Sequence, residues 1–185
     1  IENKKNGPKS LLFLSRIHKK KGIDLLIEAW KEVSVLAEKN NWQLNIVGFS
    51  NDKDNVFEKK TLNNLADNNN LSNITVSKAV FGEAMWNSYY KCDSFILPTF
   101  SEGSSIAVLN AWASGKLCLT TKGANLKYGY NDVCTIKIKP TIESIKNGLL
   151  YLFNLSDEEI SQRGLVGKEV VSKYYLWEDI ANIHI

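Results

Sequence analysis

The sequence is poor in the residues from which metal centres and disulfide frameworks are built. It contains two histidines and three cysteines, an odd number with no CxxC pair. We therefore predict no zinc or iron site, and we interpret the cysteines as small buried hydrophobic residues of a protein in a reducing compartment. This favours a cytoplasmic protein over a secreted, disulfide-bonded one.

Long hydrophobic runs and a strong net charge are also lacking. The longest apolar runs have about five residues, whereas a membrane-spanning helix needs about 20. The formal net charge of +3 gives no argument for nucleic acid, and the tryptophans and tyrosines fall at helical spacing, which is typical of a core. GxGxxG, P-loop and GxSxG motifs are absent. The signatures of nicotinamide dinucleotide enzymes, P-loop proteins and α/β-hydrolases are thereby excluded.

Short apolar runs alternate with segments of helical periodicity along the chain. Strands are predicted at 10–16, 42–48, 73–80, 94–98, 117–121 and 134–138. Helices are predicted near 23–36, 56–68, 82–92, 104–114, 141–154, 156–174 and 176–185. This alternation predicts an α/β fold with a Rossmann-like, doubly wound, mostly parallel sheet and helices on both faces.

The loops that follow the strands are the candidate ligand sites, because such sheets bind ligands outside the carboxyl ends of their strands. In the first loop, RIHKKKG at 16–22, Arg16 and Lys21 precede a helix and suit a diphosphate. A solvated basic loop explains the same residues, and taken alone it is the favoured interpretation. His18 is interpreted as an exposed bystander.

The second and third of these loops each contain a single glycine. For Gly48, a turn with positive φ and a close backbone approach to a ligand are equally good explanations. The segment VFGEA at 80–84 could offer backbone groups and an apolar surface to a nucleobase. A simple turn around Gly82 explains it equally well.

The fourth loop lies in SEGSSIAVLNAWASG, residues 101–115. Gly103, Ser104 and Ser105 leave backbone N–H groups at a helix start, where the helix dipole favours an anion. Glu102 could accept hydrogen bonds from sugar hydroxyls. Taken alone, the segment is better explained by serine capping of the helix. Three loops with ligand-compatible chemistry lie at one edge of the predicted sheet, however, and jointly they favour a binding site.

The order of these motifs resembles the C-terminal half of the family 4 (group 1) glycosyltransferases. The resemblance begins at about Leu11 and rests on FLSRIHKKKGIDLLIEAW, LNIVG, KCDSFILPTFSEGSSIAVLNAWASG, SDEEISQRGLVGKEVV and YYLWEDIA. It implies one half of a GT-B fold, in which two Rossmann-like domains face a cleft and the C-terminal domain binds the nucleotide-sugar donor. We therefore expect 1–185 to be a single such domain, with 1–9 as a linker remnant and the N-terminal acceptor domain absent.

The resemblance also implies roles for individual residues. Arg16 and Lys21 match the R-x4-K pair that neutralises the donor diphosphate, and Glu102 matches the first Glu of an E-x7-E motif near the donor sugar. These three are the predicted catalytic residues. The residues implied to bind the donor are Gly103, Ser104, Ser105, Ile106, Asn110 and, in the base-binding turn, Gly82.

Two positions depart from the family pattern. Asn110 stands where the family has the second Glu of E-x7-E. A carboxylate can accept from both ribose hydroxyls, whereas an amide has one acceptor oxygen, so the resemblance implies a weaker ribose contact. Ser104 and Ser105 replace the usual bulky residue and glycine, which alters the expected grip on the phosphate.

The resemblance implies a retaining, metal-independent, hexosyltransferase-like enzyme of bacterial type. It would transfer sugar from a UDP- or GDP-sugar to a glycan or lipid-linked acceptor in surface polysaccharide or glycoconjugate synthesis. We expect no cofactor and no nucleic acid partner. We expect the full-length protein to associate peripherally with the inner membrane, and we expect the isolated chain to be inactive. One alternative is a non-catalytic nucleotide-sugar-binding or scaffold protein, which Asn110 favours. Another is a nucleotide-sugar epimerase, against which the R-x4-K pair argues.

Overall fold

The computed structural model describes residues 7–50, 55–66 and 73–175. One six-stranded sheet has the order β3-β2-β1-β4-β5-β6, and all its strand pairs are parallel. Its strands are β1 (Lys9–Leu14), β2 (Trp42–Phe49), β3 (Ile74–Lys78), β4 (Ser94–Leu97), β5 (Leu117–Thr121) and β6 (Thr135–Ile138). The helices are α1 (Ile23–Lys39), α2 (Val56–Ala66), α3 (Gly82–Lys91), α4 (Ile106–Ala113), α5 (Ile142–Phe153) and α6 (Asp157–Tyr174). The predicted Rossmann-like fold class is confirmed.

The predicted elements differ from the observed ones mainly at their ends. β1 begins at Lys9, so the sheet includes the last residue of the segment that we assigned to a linker. α4 begins at Ile106 rather than at 104, because the preceding serines belong to the loop. β3 is shorter than predicted and lies at the edge of the sheet, where most of its side chains are exposed. The helix predicted at 176–185 lies outside the described residues.

Large apolar side chains fill the space between the sheet and its helices. Trp30 of α1 and Trp42 of β2 are fully buried, and each ring centroid lies 5.8 Å from that of Phe153 in α5. Burying a side chain of this size stabilises a fold by about 1.5–3 kcal/mol. The prediction that the aromatic residues serve the core is confirmed for these tryptophans and for the fully buried Trp112 of α4.

The three cysteines Cys92, Cys118 and Cys134 are buried and form no disulfide with one another, as predicted. Burial raises the pKa of the Cys134 thiol to about 11, and it raises the pKa of Cys118 well above its ordinary value. Their thiols are therefore protonated and unreactive near neutral pH. At the start of α6, Ser156 and Glu159 form a capping box.

The order of the strands creates a crevice between β1 and β4. The chain runs outward from β1 through β2 to β3, and it then returns to β4, which pairs with β1 on the other side. Right-handed crossovers that run in opposite directions place their helices on opposite faces of the sheet. The helices that follow β1 and β4 therefore lie on opposite faces of the sheet, and the carboxyl edge between these two strands is where doubly wound sheets bind ligands.

Across 7–50, 55–66 and 73–175, no helix has the combination of length and apolar character that crossing a membrane requires.

Candidate active site

An ion pair between the loops after β1 and β4 forms the centre of the candidate site. The Nζ atom of Lys21 lies 2.6 Å from Oε1 of Glu102, and the two side chains are only 17% and 14% exposed. Because little water surrounds the pair, the two charges attract each other more strongly than an exposed pair does. Two residues that were predicted from separate motifs, 81 positions apart, are thus in direct contact.

The loop that carries Lys21 is ordered by local hydrogen bonds. Residues Lys19–Lys21 form one turn of 3₁₀ helix, and Nδ1 of His18 caps it by accepting from the backbone N–H of Lys20 at 3.1 Å. Gly22 then adopts φ +68°, and a Cβ atom there would overlap the carbonyl oxygen of Pro98. The interpretation as a solvated basic loop is therefore wrong for Lys21. His18 is exposed as predicted, and it also serves as a cap.

Thr99 was missed by sequence reasoning, although it fastens the two loops together. Its side chain is fully buried, and Oγ1 lies 2.8 Å from Oε1 of Glu102 and 3.0 Å from the carbonyl oxygen of Lys20. The backbone N–H of Phe100 donates to the same carbonyl at 2.8 Å. A signal was available in the sequence, because Thr99 directly follows the proline that ends β4 and precedes Glu102 by three positions.

The loop after β5 supports the Glu102 loop from behind. The backbone N–H of Glu102 donates to the carbonyl of Gly123 at 2.8 Å, and that of Ser105 donates to Ala124 at 3.1 Å. A Cβ atom on Gly123 would overlap the carbonyl oxygen of Phe100. The backbone around Glu102 is therefore held in place before any ligand binds.

The start of α4 has no side-chain cap. Ser105 is the N-cap residue, but its side chain makes no capping hydrogen bond, and the first turn contains no acidic residue. The interpretation of this segment as serine capping is therefore wrong. Ser105 is buried, and its backbone is fixed by the bond to the β5 loop. The N–H of Ile106 donates to the carbonyl of Ser104 at 3.0 Å, and no side chain caps the positive dipole end of the helix, which favours an anion.

The other predicted residues of this edge lie in the same two loops as the ion pair or, for Ile106, at the start of α4. Arg16, Gly103, Ser104 and Ile106 are exposed, and among the described residues Arg16 forms no ion pair within 4.0 Å. In the part of the chain described, no three His, Cys, Asp or Glu side chains cluster as a metal site would require. The arrangement offers two cations, one carboxylate and a helix N-terminus, which together suit a phosphorylated ligand with hydroxyl groups.

The two single-glycine loops have different explanations. A Cβ atom on Gly48 would overlap the carbonyl oxygen of Ser15, so this glycine allows β1 and β2 to end close together. Gly82 has φ +56° and nothing near its Cβ position, so its role in the fold is that of a turn before α3. Phe81, beside it, is 80% exposed and supplies the apolar surface that was predicted at this loop.

Comparison with known proteins agrees with this geometry. The family model of the group 1 glycosyl transferases matches residues 1–162. The chain belongs to this family. The family resemblance on which the residue roles were based is thus confirmed.

Individual relatives of this chain share its fold and differ in length. An uncharacterized glycosyltransferase of Methanocaldococcus jannaschii is 28% identical over 172 residues, which cover 90% of this chain and 44% of that protein. A Rickettsia africae glycosyltransferase has a TM-score of 0.81 at 17% identity over 97% of this chain and 46% of its own. The C-terminal domain of a group 1 family glycosyl transferase from Francisella tularensis has a TM-score of 0.75 at 20% identity, over 92% of this chain and 88% of that domain. The likenesses confirm one Rossmann-like half of a GT-B fold, and the chain spans less than half the length of the first two relatives.

Asn110 of this chain lies in α4 and contacts a residue of α3. It is half-buried in α4, and its amide hydrogen-bonds the hydroxyl of the buried Tyr89 in α3. Burial raises the pKa of Tyr89 above its ordinary value, and the hydrogen bond to Asn110 opposes part of this rise. The position that departs from E-x7-E therefore has a partner within the fold, which no sequence pattern indicated.

Proposed function

We propose that this chain is the donor-binding domain of a glycosyltransferase that transfers a sugar from a nucleoside diphosphate to a glycan or lipid-linked acceptor. The Lys21–Glu102 pair beside the uncapped start of α4 supports the proposal most directly. A cation and an open helix N-terminus are complementary to a diphosphate. A neighbouring carboxylate is complementary to sugar hydroxyls.

The proposed reaction uses these groups to stabilise charge. As the bond between the sugar and the diphosphate breaks, negative charge accumulates on the departing nucleoside diphosphate. Lys21 and Arg16 neutralise that charge, which lowers the barrier because their attraction grows as the bond breaks. In the ligand-free protein Glu102 balances Lys21, so the incoming diphosphate replaces Glu102 as the partner of the ammonium group. We propose a retaining, metal-independent transfer with no further cofactor.

The other proposed contacts to the nucleotide-sugar donor are assigned from where the residues lie at this edge of the sheet. The exposed backbone of Gly103 and Ser104 lies beside the start of α4 and is proposed to meet the phosphates. Ile106 is 63% exposed and offers apolar surface to the nucleoside, while Gly82 and Phe81 border the nucleobase. UDP- and GDP-sugars are the proposed donors, and surface polysaccharide or glycoconjugate synthesis in the bacterial cytoplasm, at the inner face of the membrane, is the proposed setting.

We predict that the isolated 185-residue chain transfers no sugar. The relatives from Methanocaldococcus jannaschii and Rickettsia africae are more than twice as long, and the proposed acceptor site lies in a second domain that closes the cleft. The test compares the chain with the full-length protein in a radiolabelled transfer assay that supplies donor and acceptor. Sugar transfer by the chain alone at the rate of the full-length protein would show that this domain is sufficient.

We predict that Asn110→Glu strengthens the binding of a nucleoside diphosphate by about tenfold, since one added hydrogen bond to a charged group contributes about 1.5 kcal/mol at the low end of its usual range. The carboxylate would accept from both ribose hydroxyls. Calorimetric titration of the full-length protein with UDP and with GDP measures the change, with Asn110→Gln as the uncharged control. An unchanged Kd would mean that residue 110 does not contact the ribose.

A non-catalytic nucleotide-sugar-binding or scaffold protein is the main alternative, and Asn110 is the observation that favours it. The deciding experiment screens full-length protein against UDP-glucose, UDP-N-acetylglucosamine, GDP-mannose and ADP-glucose for binding and for turnover. Binding with transfer to an acceptor supports the proposal, whereas binding without any turnover supports the alternative. Conversion of the donor sugar into its epimer, with no transfer, would instead identify an epimerase.

A further inference from the structure

Thr99 has a position that the proposed roles of Lys21 and Glu102 leave unexplained. Its fully buried hydroxyl lies within hydrogen-bond distance of two acceptors, Oε1 of Glu102 at 2.8 Å and the carbonyl of Lys20 at 3.0 Å. A threonine hydroxyl has one proton and can donate only one strong hydrogen bond at a time. The assignment of that proton decides what Thr99 does.

The neighbouring bonds assign the proton to Glu102. The carbonyl of Lys20 already accepts from the backbone N–H of Phe100 at 2.8 Å. A hydrogen bond to a carboxylate is stronger than one to a neutral carbonyl, and the distance to Glu102 is the shorter of the two. Thr99 therefore donates to Oε1 of Glu102, the same oxygen that Lys21 contacts.

We propose that Thr99 is a positioning residue that holds the Glu102 carboxylate toward the donor sugar after Lys21 has turned to the diphosphate. The inference rests on the proposed function. Without the ammonium of Lys21, the hydroxyl of Thr99 is the remaining side-chain donor to Oε1 among the contacts described for this carboxylate. Thr99 is itself immobile, because it is buried and its carbonyl accepts from the hydroxyl of Thr121.

Thr99→Val in the full-length protein tests this role, since valine keeps the shape of threonine and removes the hydroxyl. Thr120→Val is the matched control. Thr120 is also fully buried, and its hydroxyl donates at 2.9 Å to the carbonyl of Leu97, away from the ion pair. Thr99→Ser keeps the hydroxyl and serves as the rescue variant.

We expect Thr99→Val to lower kcat by about tenfold or more. The Kd of the free nucleoside diphosphate, UDP or GDP as the panel identifies it, should change by less than about threefold, because Arg16, Lys21 and the start of α4 are intact. The matching nucleotide sugar should lose the additional affinity that its sugar provides. Thr120→Val should lower Tm by about as much as Thr99→Val does, but it should change neither kcat nor the affinity for the nucleotide sugar. Thr99→Ser should restore kcat.

The outcomes separate this inference from the proposed function. If the unmodified protein binds and transfers sugar but Thr99→Val behaves like Thr120→Val, Thr99 has only a structural role and the inference is wrong. Equal weakening of nucleoside diphosphate and nucleotide sugar would also overturn it, since the defect would then lie at the phosphates. If the unmodified protein binds no nucleotide sugar at all, the proposed function fails, and the inference fails with it.

Discussion

Replacing Lys21 with methionine is expected to lower kcat/KM of the full-length protein for the proposed sugar transfer by about 100- to 1,000-fold, the usual effect of removing one preorganised electrostatic contact to a developing charge. Methionine keeps much of the length of the side chain and removes its charge. The proposed leaving diphosphate would then be stabilised by Arg16 and the start of α4 alone. Steady-state kinetics with the donor identified in the panel provide the measurement.

Lys20→Met is the matched control for Lys21→Met. Lys20 is the preceding residue in the same 3₁₀ turn, its side chain is exposed, and its role in the site uses only its backbone carbonyl. Lys20→Met is therefore expected to keep kcat/KM within about threefold, as a surface change distant from the reacting groups does. Equal losses for both variants would show that general positive charge, rather than Lys21 itself, is what matters.

The double variant Lys21→Met/Glu102→Gln separates stability from activity. Lys21→Met leaves the carboxylate of Glu102 partly buried without its cation, which is destabilising. Adding Glu102→Gln removes the orphaned charge, so the free energy of unfolding should recover while the sugar transfer does not. Recovery of activity together with stability would mean that the ion pair serves only the fold.

Gly22→Ala is expected to lower the free energy of unfolding by about 3 kcal/mol. The positive φ of +68° costs an L-residue roughly 1–2 kcal/mol. The overlap of the new Cβ with the carbonyl oxygen of Pro98 adds about 1–3 kcal/mol, the usual cost of overpacking. Because this contact joins the Lys21 loop to the end of β4, the substitution should also separate Lys21 from Glu102. Urea unfolding of the 185-residue chain measures the loss of stability.

Gly82→Ala is the control for the backbone conformation alone. Gly82 has a similar φ of +56°, but nothing lies within 4 Å of its Cβ position. Its substitution by alanine should therefore cost only the roughly 1–2 kcal/mol of the left-handed conformation. If Gly22→Ala is no more destabilising than Gly82→Ala, the two loops can move apart freely and the site is less rigid than its contacts indicate.

The candidate site was predicted in its parts but not in its connections. Lys21 and Glu102 followed from loops at the ends of two strands, and the order of the strands brings those loops together. Their ion pair could not be predicted, because the contact depends on how two loops pack against each other that are 81 positions apart in the sequence. Thr99 was missed for the same reason, since the Lys20 carbonyl beside its hydroxyl belongs to the other loop, 79 positions away.

The serine-rich segment shows why local chemistry misleads when the surroundings are unknown. Ser104 and Ser105 are good capping residues, and the sequence pattern alone favoured a capped helix. The carbonyl of Ala124 in the next loop fixes the backbone of Ser105, and the serine side chain makes no cap. Whether a helix N-terminus is closed or open to a ligand was therefore decided by a neighbouring loop.

The sequence by itself determined the order of strands and helices, the burial of the central strands and the family to which the chain belongs. These properties depend on hydrophobic periodicity and on motif spacing, which are local. Only the tertiary structure decided which side chains contact each other: Lys21 with Glu102, Thr99 with both loops, and Asn110 with Tyr89. Such contacts form between segments distant in sequence, and their distances and burial depend on the packing of the whole sheet.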